Sequence, residues 1–286
     1  MIIPLLPLLV LAVLQGVLEF LPVSSEGQLL LVAVNMYGID SATALSVTFW
    51  LHIGTAVSVV IFYRKDILGP LYQRIHPPEN VSAKSTDEPV LFGSLFRFVI
   101  IGTMGTILVA LPLYFLLQEF VSQLMGETVS ALVGALLLVT GIVLYFQRRI
   151  QGIRELATLS LKEAFILGLI QGFAVLPGIS RSGVTLTYLL LRGVERKEAL
   201  RLSFLLGVPS VAGITCLDFI LGNFFWTDFF ILASITIVAF LVGFISLWGL
   251  RYTATRVPFW AFCLGLGFLV LFLTIPSILL MPTIPP

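Results

Sequence analysis

The sequence predicts an all-α, polytopic integral membrane protein with about six full transmembrane helices and two re-entrant broken helices in an inverted repeat. Three observations carry that expectation. The 286-residue chain is 58% hydrophobic and only 11% charged. Its apolar runs repeatedly reach the roughly 20 residues a helix needs to cross hydrocarbon. Two of those runs are interrupted midway by proline, glycine and serine, and the interruptions resemble each other.

Taken in order, the first apolar segment covers about 3 to 36 and contains LQGVLEFLPVSSEGQLLL, Leu14 to Leu31, with Pro22 as the breaker. It lacks the basic flank and small-residue cleavage site of a signal peptide, so it is expected to stay in the mature protein. A first full span is expected at about 41 to 63, followed by a polar cytoplasmic loop at about 64 to 96. Spans follow at about 97 to 118 and 126 to 147, and a second broken segment, 161 to 191, is interrupted at Pro177. The last three spans are expected at about 201 to 221, 229 to 250 and 257 to 281. Together they form a single membrane domain, 1 to 286, whose halves divide near 125 and 126.

Charge sets the orientation. If the broken segments return to the side they entered and the six spans cross, Arg64, Lys65, Arg74, Lys84 and Arg97 share a face with Arg148, Arg149, Arg154 and Lys162. Arg192, Arg196, Lys197, Arg201, Arg251 and Arg256 join them. That face is cytoplasmic by the positive-inside rule. The opposite face carries Asp40, Glu119, Glu127, Asp218 and Asp228, and Arg181 is left inside the second broken segment. A formal net charge of +1 argues against a nucleic-acid partner. Cys216 and Cys263 read as small buried hydrophobes.

The two broken segments repeat. Gln15-Gly16 leads through Leu21-Pro22 and Ser24-Ser25 to Gly27; Gln171-Gly172 leads through Leu176-Pro177 and Ser180-Arg181-Ser182 to Gly183 at the same spacing. Leu51-His52-Ile53-Gly54 with Ser58 is loosely echoed by Leu205-Leu206-Gly207 with Ser210, a period of roughly 155 residues. Three spans between the breaks is an odd number, so the repeat is inverted, an architecture that builds a site near the midplane. Irregular backbone is tolerated there because it lines a cavity.

The residues at the breaks suit a phosphate. Gln15 and Glu19 share one helix face. Ser24 and Ser25 begin the next half-helix, where free N–H groups and the helix dipole favour an anion. Ser180 and Ser182 hold the equivalent place around Arg181, whose planar fork matches phosphate oxygens. Read singly, such serines are caps, and Glu19 with Arg181 is a structural ion pair. In mirrored positions inside hydrocarbon, where charges are costly, they read as a functional site.

These residues resemble the undecaprenyl-diphosphatase family of the bacitracin-resistance type. One family signature is similar to Gln15, Glu19, Phe20, Leu21, Pro22, Ser24 and Ser25; the other to Pro177, Gly178, Ser180, Arg181, Ser182, Gly183 and Thr185. The resemblance implies a membrane hydrolase that removes the terminal phosphate of a polyprenyl diphosphate, recycling the lipid carrier for cell-envelope synthesis. It further implies help from a divalent cation, Mg²⁺ or Ca²⁺, and an active site facing the non-cytoplasmic side of the cell membrane.

On that basis Glu19, Ser25, Glu26 and Arg181 are the expected catalytic residues. Ser24, Gln28, Ser180, Ser182, Gly183 and Thr185 are expected to hold substrate, and Glu19 with Gln15 the cation. One departure stands out. Where the family usually has a histidine after the paired serines, this chain has Gln28, which cannot move a proton at useful pKa. Glu26 and His52 are the two replacements on offer, while His76 lies in the polar loop and is set aside. The attacker is Ser25 or a water, and a homodimer is left open. The rival expectation is a transporter or flippase that moves a polyprenyl phosphate or other lipid anion without cleaving it.

Overall fold

A computed structural model describes residues 3–68, 87–123, 126–150, 152–223, 227–253 and 258–280. Among them there is no β-strand, and the elements are all helices. The first broken segment is α1 (Leu5–Leu18) and α2 (Ser25–Tyr37), and α3 (Ser41–Phe62) follows. Next come α4 (Asp87–Gln123) and α5 (Gly126–Gln147). The second broken segment is α6 (Leu161–Gly172) and α7 (Arg181–Leu191), and α8 (Arg196–Ile220), α9 (Phe229–Thr253) and α10 (Phe259–Leu280) complete the order.

Six of these, α3, α4, α5, α8, α9 and α10, are long and apolar enough to cross a membrane. They coincide with the six expected spans, and the protein is a polytopic, all-α membrane protein. The halves of the broken segments are shorter. At 1.5 Å per residue, the 14 residues of α1 reach about 21 Å and the 12 of α6 about 18 Å, short of a hydrocarbon core of about 30 Å.

Two expectations need correcting. The polar loop expected at 64 to 96 is helical at its far end, since α4 begins at Asp87. Pro89 falls in its first turn, where a missing N–H costs no hydrogen bond. Residues 69–86, with Arg74, His76 and Lys84, lie outside the described residues. Cys216 is exposed on α8 and only Cys263 is buried, because apolar composition does not say which face of a spanning helix meets lipid.

Packing relates the two broken segments as the sequence does. Helix α1 lies against α9, and α6 lies against α4. Each contact is made close by the glycine that follows the repeated glutamine. A Cβ on Gly16 would come within 2.6 Å of Val242 Cβ, and one on Gly172 within 2.5 Å of Val109 Cβ. Small residues let membrane helices approach where no hydrophobic force drives them together. Helix α2 also packs on α3 as α7 packs on α8, and α3 touches α8 directly. The two breaks are thereby brought face to face in the middle of the bundle.

Candidate active site

Each break holds a residue at positive φ. In the second it is Gly178 with φ 116°, and Ser24 with φ 59° is, among the described residues, the sole non-glycine at positive φ. Such a conformation costs of order 1–3 kcal/mol and persists where the surroundings over-determine it. Here they do. Ser24 Oγ accepts from the Gly27 N–H at 3.4 Å, capping α2, and from the Gly178 N–H of the other break at 3.0 Å. In return Ser182 Oγ donates to the Leu21 carbonyl at 3.1 Å. Thr140, from α5, donates to the Gly178 carbonyl at 2.9 Å and accepts from the Ser180 N–H at 3.1 Å. The N-termini of α2 and α7 therefore meet at one place.

Between them lies a cavity of about 80 Å³, the volume of several waters and on the scale of a phosphate group. Glu19, at the end of α1, is 6% exposed and organises its floor. One carboxylate oxygen pairs with Arg181 Nη2 across the two breaks. The other accepts from Ser25 Oγ at 2.8 Å and Gln15 Nε2 at 2.8 Å and lies 3.1 Å from His52 Nε2. His52 also stands 3.5 Å from Glu26, while its Nδ1 faces the Thr48 carbonyl at 2.6 Å. Both ring nitrogens face acceptors, so the geometry calls for a proton shared between Nε2 and one of the two carboxylates.

Eight of the expected residues line this cavity: Glu19, Ser24, Ser25, Glu26, His52, Ser180, Arg181 and Ser182. Glu26 and His52, the alternative replacements for the missing histidine, prove to be neighbours. Gln15 stands one hydrogen bond behind. Gln28, Gly183 and Thr185 do not reach the cavity. Gln28 instead donates its amide to the Val23 carbonyl at 2.6 Å, stapling the turn before α2. The Gly183 N–H serves the Ser180 cap at 3.1 Å, and Thr185 Oγ1 is taken up by the Arg181 carbonyl at 2.7 Å and Ser203 Oγ at 2.6 Å.

Other participants escaped the sequence. A Cβ on Gly207 would overlap the Arg181 guanidinium, so glycine makes the slot in which the fork lies. The repeat aligned Gly207 with Gly54, the one available signal. Nothing local marks Thr140, because its role depends on the rotation of α5 about its axis. Asp218, near the end of α8 opposite Arg196, is 1% exposed and accepts from Ser46 at 2.7 Å and Tyr114 at 2.9 Å, tying α3 and α4 to α8, a role the sequence did not show.

No group of three His, Cys, Asp or Glu side chains able to hold a metal occurs among the described residues. Two buried oxygens beside Glu19 and His52 are nevertheless without a partner, Gln15 Oε1 and Glu26 Oε2. Hard oxygen donors completed by substrate phosphates are the usual setting of Mg²⁺, and of these two only Glu26 lies on the cavity, where its free oxygen would suit such an ion.

Comparison with known proteins agrees with the geometry. The profile of the bacitracin resistance protein BacA family matches residues 8–269, which includes both breaks. The chain belongs to this family. An undecaprenyl-diphosphatase of Methanothrix thermoacetophila is 36% identical over 93% of this chain and 95% of its own length. Those of Haloarcula marismortui and Desulforapulum autotrophicum are 35% and 37% identical, over 92% and 88% of this chain and 95% and 91% of theirs.

Proposed function

We propose that this BacA-family protein hydrolyses a polyprenyl diphosphate of the undecaprenyl type to the monophosphate and inorganic phosphate, recycling the lipid carrier. The observation that carries the reading is the Ser25–Glu19–Arg181 constellation at the meeting of two helix N-termini. Phosphoryl transfer asks a protein chiefly for positioning and for charge stabilisation around the transferred group. Arg181 is anchored by Glu19 through Nη2 and by the Ser203 carbonyl through Nη1 at 3.3 Å, with its remaining donors available to phosphate oxygens. The free N–H groups at the starts of α2 and α7 add a second, neutral set of donors.

The hydrogen bond from Ser25 Oγ to Glu19 gives the hydroxyl proton an acceptor and leaves the oxygen's lone pairs for the phosphorus. In this assignment the Oγ–P bond forms as the bond to the bridging oxygen breaks. The polyprenyl monophosphate leaves, and water then attacks the phosphorus of the phosphoserine, breaking the Oγ–P bond to release inorganic phosphate and return Ser25 to its hydroxyl form. The displaced proton passes from Glu19 toward His52 and Glu26, which take the place of the histidine absent at position 28. A divalent cation held by Glu26 together with substrate oxygens, with Gln15 supporting Glu19 from behind, would neutralise phosphate charge. Glu19 has both oxygens engaged by protein donors and serves here as organiser and proton acceptor. Phe49, Ala110 and Ile214 give the cavity an apolar side suited to the first prenyl units.

The breaks are read as re-entrant and the halves as inverted repeats, supported by the matched packing of α1 on α9 and α6 on α4. With the basic ends of the helices inside the cell, the cavity opens toward the outer face of the cell membrane. Phosphate release from a polyprenyl diphosphate by the purified protein, with and without chelator, tests the reading. Release that stops with chelator and returns with Mg²⁺ or Ca²⁺ is expected. Movement of the lipid across vesicles with no phosphate released would favour transport instead.

A further inference from the structure

On the opposite side of the breaks lies a second cavity, larger than the first, of about 420 Å³. Among the described residues its polar lining consists of Gln147, Arg148, Arg196 and Ser182, with no carboxylate. The rest is apolar, including Phe20, Leu186, Phe259 and Trp260. Ser182 lines both cavities, so a single layer of break residues separates them.

Three features make this a built site rather than a gap between helices. Gln147, the last residue of α5, is 6% exposed, and its buried Nε2 has no partner. A buried amide donor without an acceptor costs about 1–3 kcal/mol, a cost a ligand acceptor removes. Arg148, an exposed residue, is held over the Tyr145 ring at 3.4 Å, lies 5.8 Å from the Trp260 ring and donates through Nη1 to the Tyr145 carbonyl, so stacking and a backbone acceptor rather than an acid fix the guanidinium. Arg196 forms no ion pair among the described residues. Its neighbours Arg154, Arg192 and Arg201 are all paired, with Glu163, Glu163 and Asp66 respectively.

A chamber lined by two cationic forks and a spare amide donor, with no acid, is complementary to an anion with several acceptor oxygens. We propose that this second cavity is a phosphate-binding site open to the cytoplasmic side, taking either the headgroup of a prenyl monophosphate or free inorganic phosphate. Its aromatic and leucine walls would accommodate the first prenyl units of the lipid. The choice of a prenyl chain rests on the hydrolase reading; the phosphate chemistry rests on the lining alone. With the reactive cavity on one side of the breaks and this one on the other, the protein holds a phosphate site on each side of a thin partition.

The test uses the full-length protein in detergent carrying Arg181→Ala, which disables the first cavity, titrated calorimetrically with inorganic phosphate and separately with farnesyl monophosphate. Adding Arg148→Gln with Arg196→Gln is expected to weaken binding at least roughly tenfold, and Gln147→Leu by several-fold. With Arg181 intact, the same variants should retain phosphate release within about threefold, which separates failure of this site from failure of the hydrolase reading. Binding of both probes identifies a lipid headgroup site, and binding of phosphate alone a site for the free ion. Unchanged affinity in both the double-arginine and the Gln147→Leu variants overturns the proposal, as does absence of binding by either probe. If the double variant does not fold, the Gln147→Leu result decides.

Discussion

Glu19 and Glu163 are both buried glutamates, 6% and 7% exposed, and each is met by arginine in one of the two broken segments or at its edge. Around Glu163 every group is satisfied. It caps α6 with Ser160, accepting from the Ser160 N–H at 2.8 Å while Ser160 Oγ accepts from the Glu163 N–H at 3.2 Å. Arg154 at 3.1 Å and Arg192 at 2.7 Å complete the cluster, with Arg154 and Arg192 reaching toward solvent. Around Glu19 the carboxylate is equally engaged, but its neighbours are not. Glu26 Oε2 and Gln15 Oε1 lack partners, Arg181 faces a cavity, and Ser24 is held in a strained conformation. An ion pair alone therefore does not mark a site. Unspent donors and acceptors around it do.

The largest effect expected from this contrast is at Arg181. Arg181→Ala should lower phosphate release by about 10³ or more, the scale of an arginine that stabilises phosphoryl-transfer charge. Arg181→Lys should fall within roughly tenfold of Ala, because a lysine cannot span Glu19 and the phosphate as a fork does. A lysine variant that keeps most activity would make Arg181 a point charge and place it closer in kind to Arg192.

Glu26→Gln comes next, with an expected loss of about 10² to 10⁴ in kcat for a group that takes part in proton transfer. His52→Ala should fall in the same range, since His52 stands between Glu19 and Glu26 in the proposed relay. Full activity of either variant, read by phosphate release, would remove it from the relay.

Glu163 should behave as a structural group. Burial pushes its carboxyl up, but hydrogen bonds from Arg154, the Ser160 backbone and Arg192 outweigh that and bring it down to about 2 from 4.5. A depressed carboxyl stabilises the fold fully above the unfolded value, and that stabilisation is lost as pH falls from about 4.5 toward 2. Glu163→Gln should lower Tm by several degrees at pH 7 and by less at pH 3, with kcat per folded molecule unchanged. An equal shift at both pH values would show that the cluster does not act through charge.

The smallest effect is expected at Gln28, which staples the Val23 carbonyl and stays outside the cavity. Gln28→Ala should cost about 1 kcal/mol of stability and less than tenfold in activity. A loss as large as that of Glu26→Gln would return it to the substrate.

Much of this was legible in the chain itself. Apolar length located the six spans, and Pro22 and Pro177 located the breaks because paired serines and glycine follow them; Pro112, Pro209 and Pro276, which lack the paired serines, lie inside continuous helices. The repeat paired Gln15 with Gln171 and the serine clusters with each other. What the sequence withheld depends on the rotation of one helix against another. His52 falls between Glu19 and Glu26 only because α3 presents that face to the break, and Gln28 turns back to the Val23 carbonyl of its own segment. Thr140 and Asp218 sit in apolar spans, and their partners come from segments distant in sequence.

The central claim is that the two breaks act as one catalytic unit through Glu19 and Arg181, and a double-mutant cycle on phosphate release tests it most directly. Glu19→Gln, Arg181→Ala and the double variant would be assayed on one polyprenyl diphosphate at saturating cation. Residues that work as a unit are strongly non-additive. The account predicts that the double variant is no more than about tenfold below the worse single variant. Losses that multiply, or a Glu19→Gln variant with wild-type release, would contradict it.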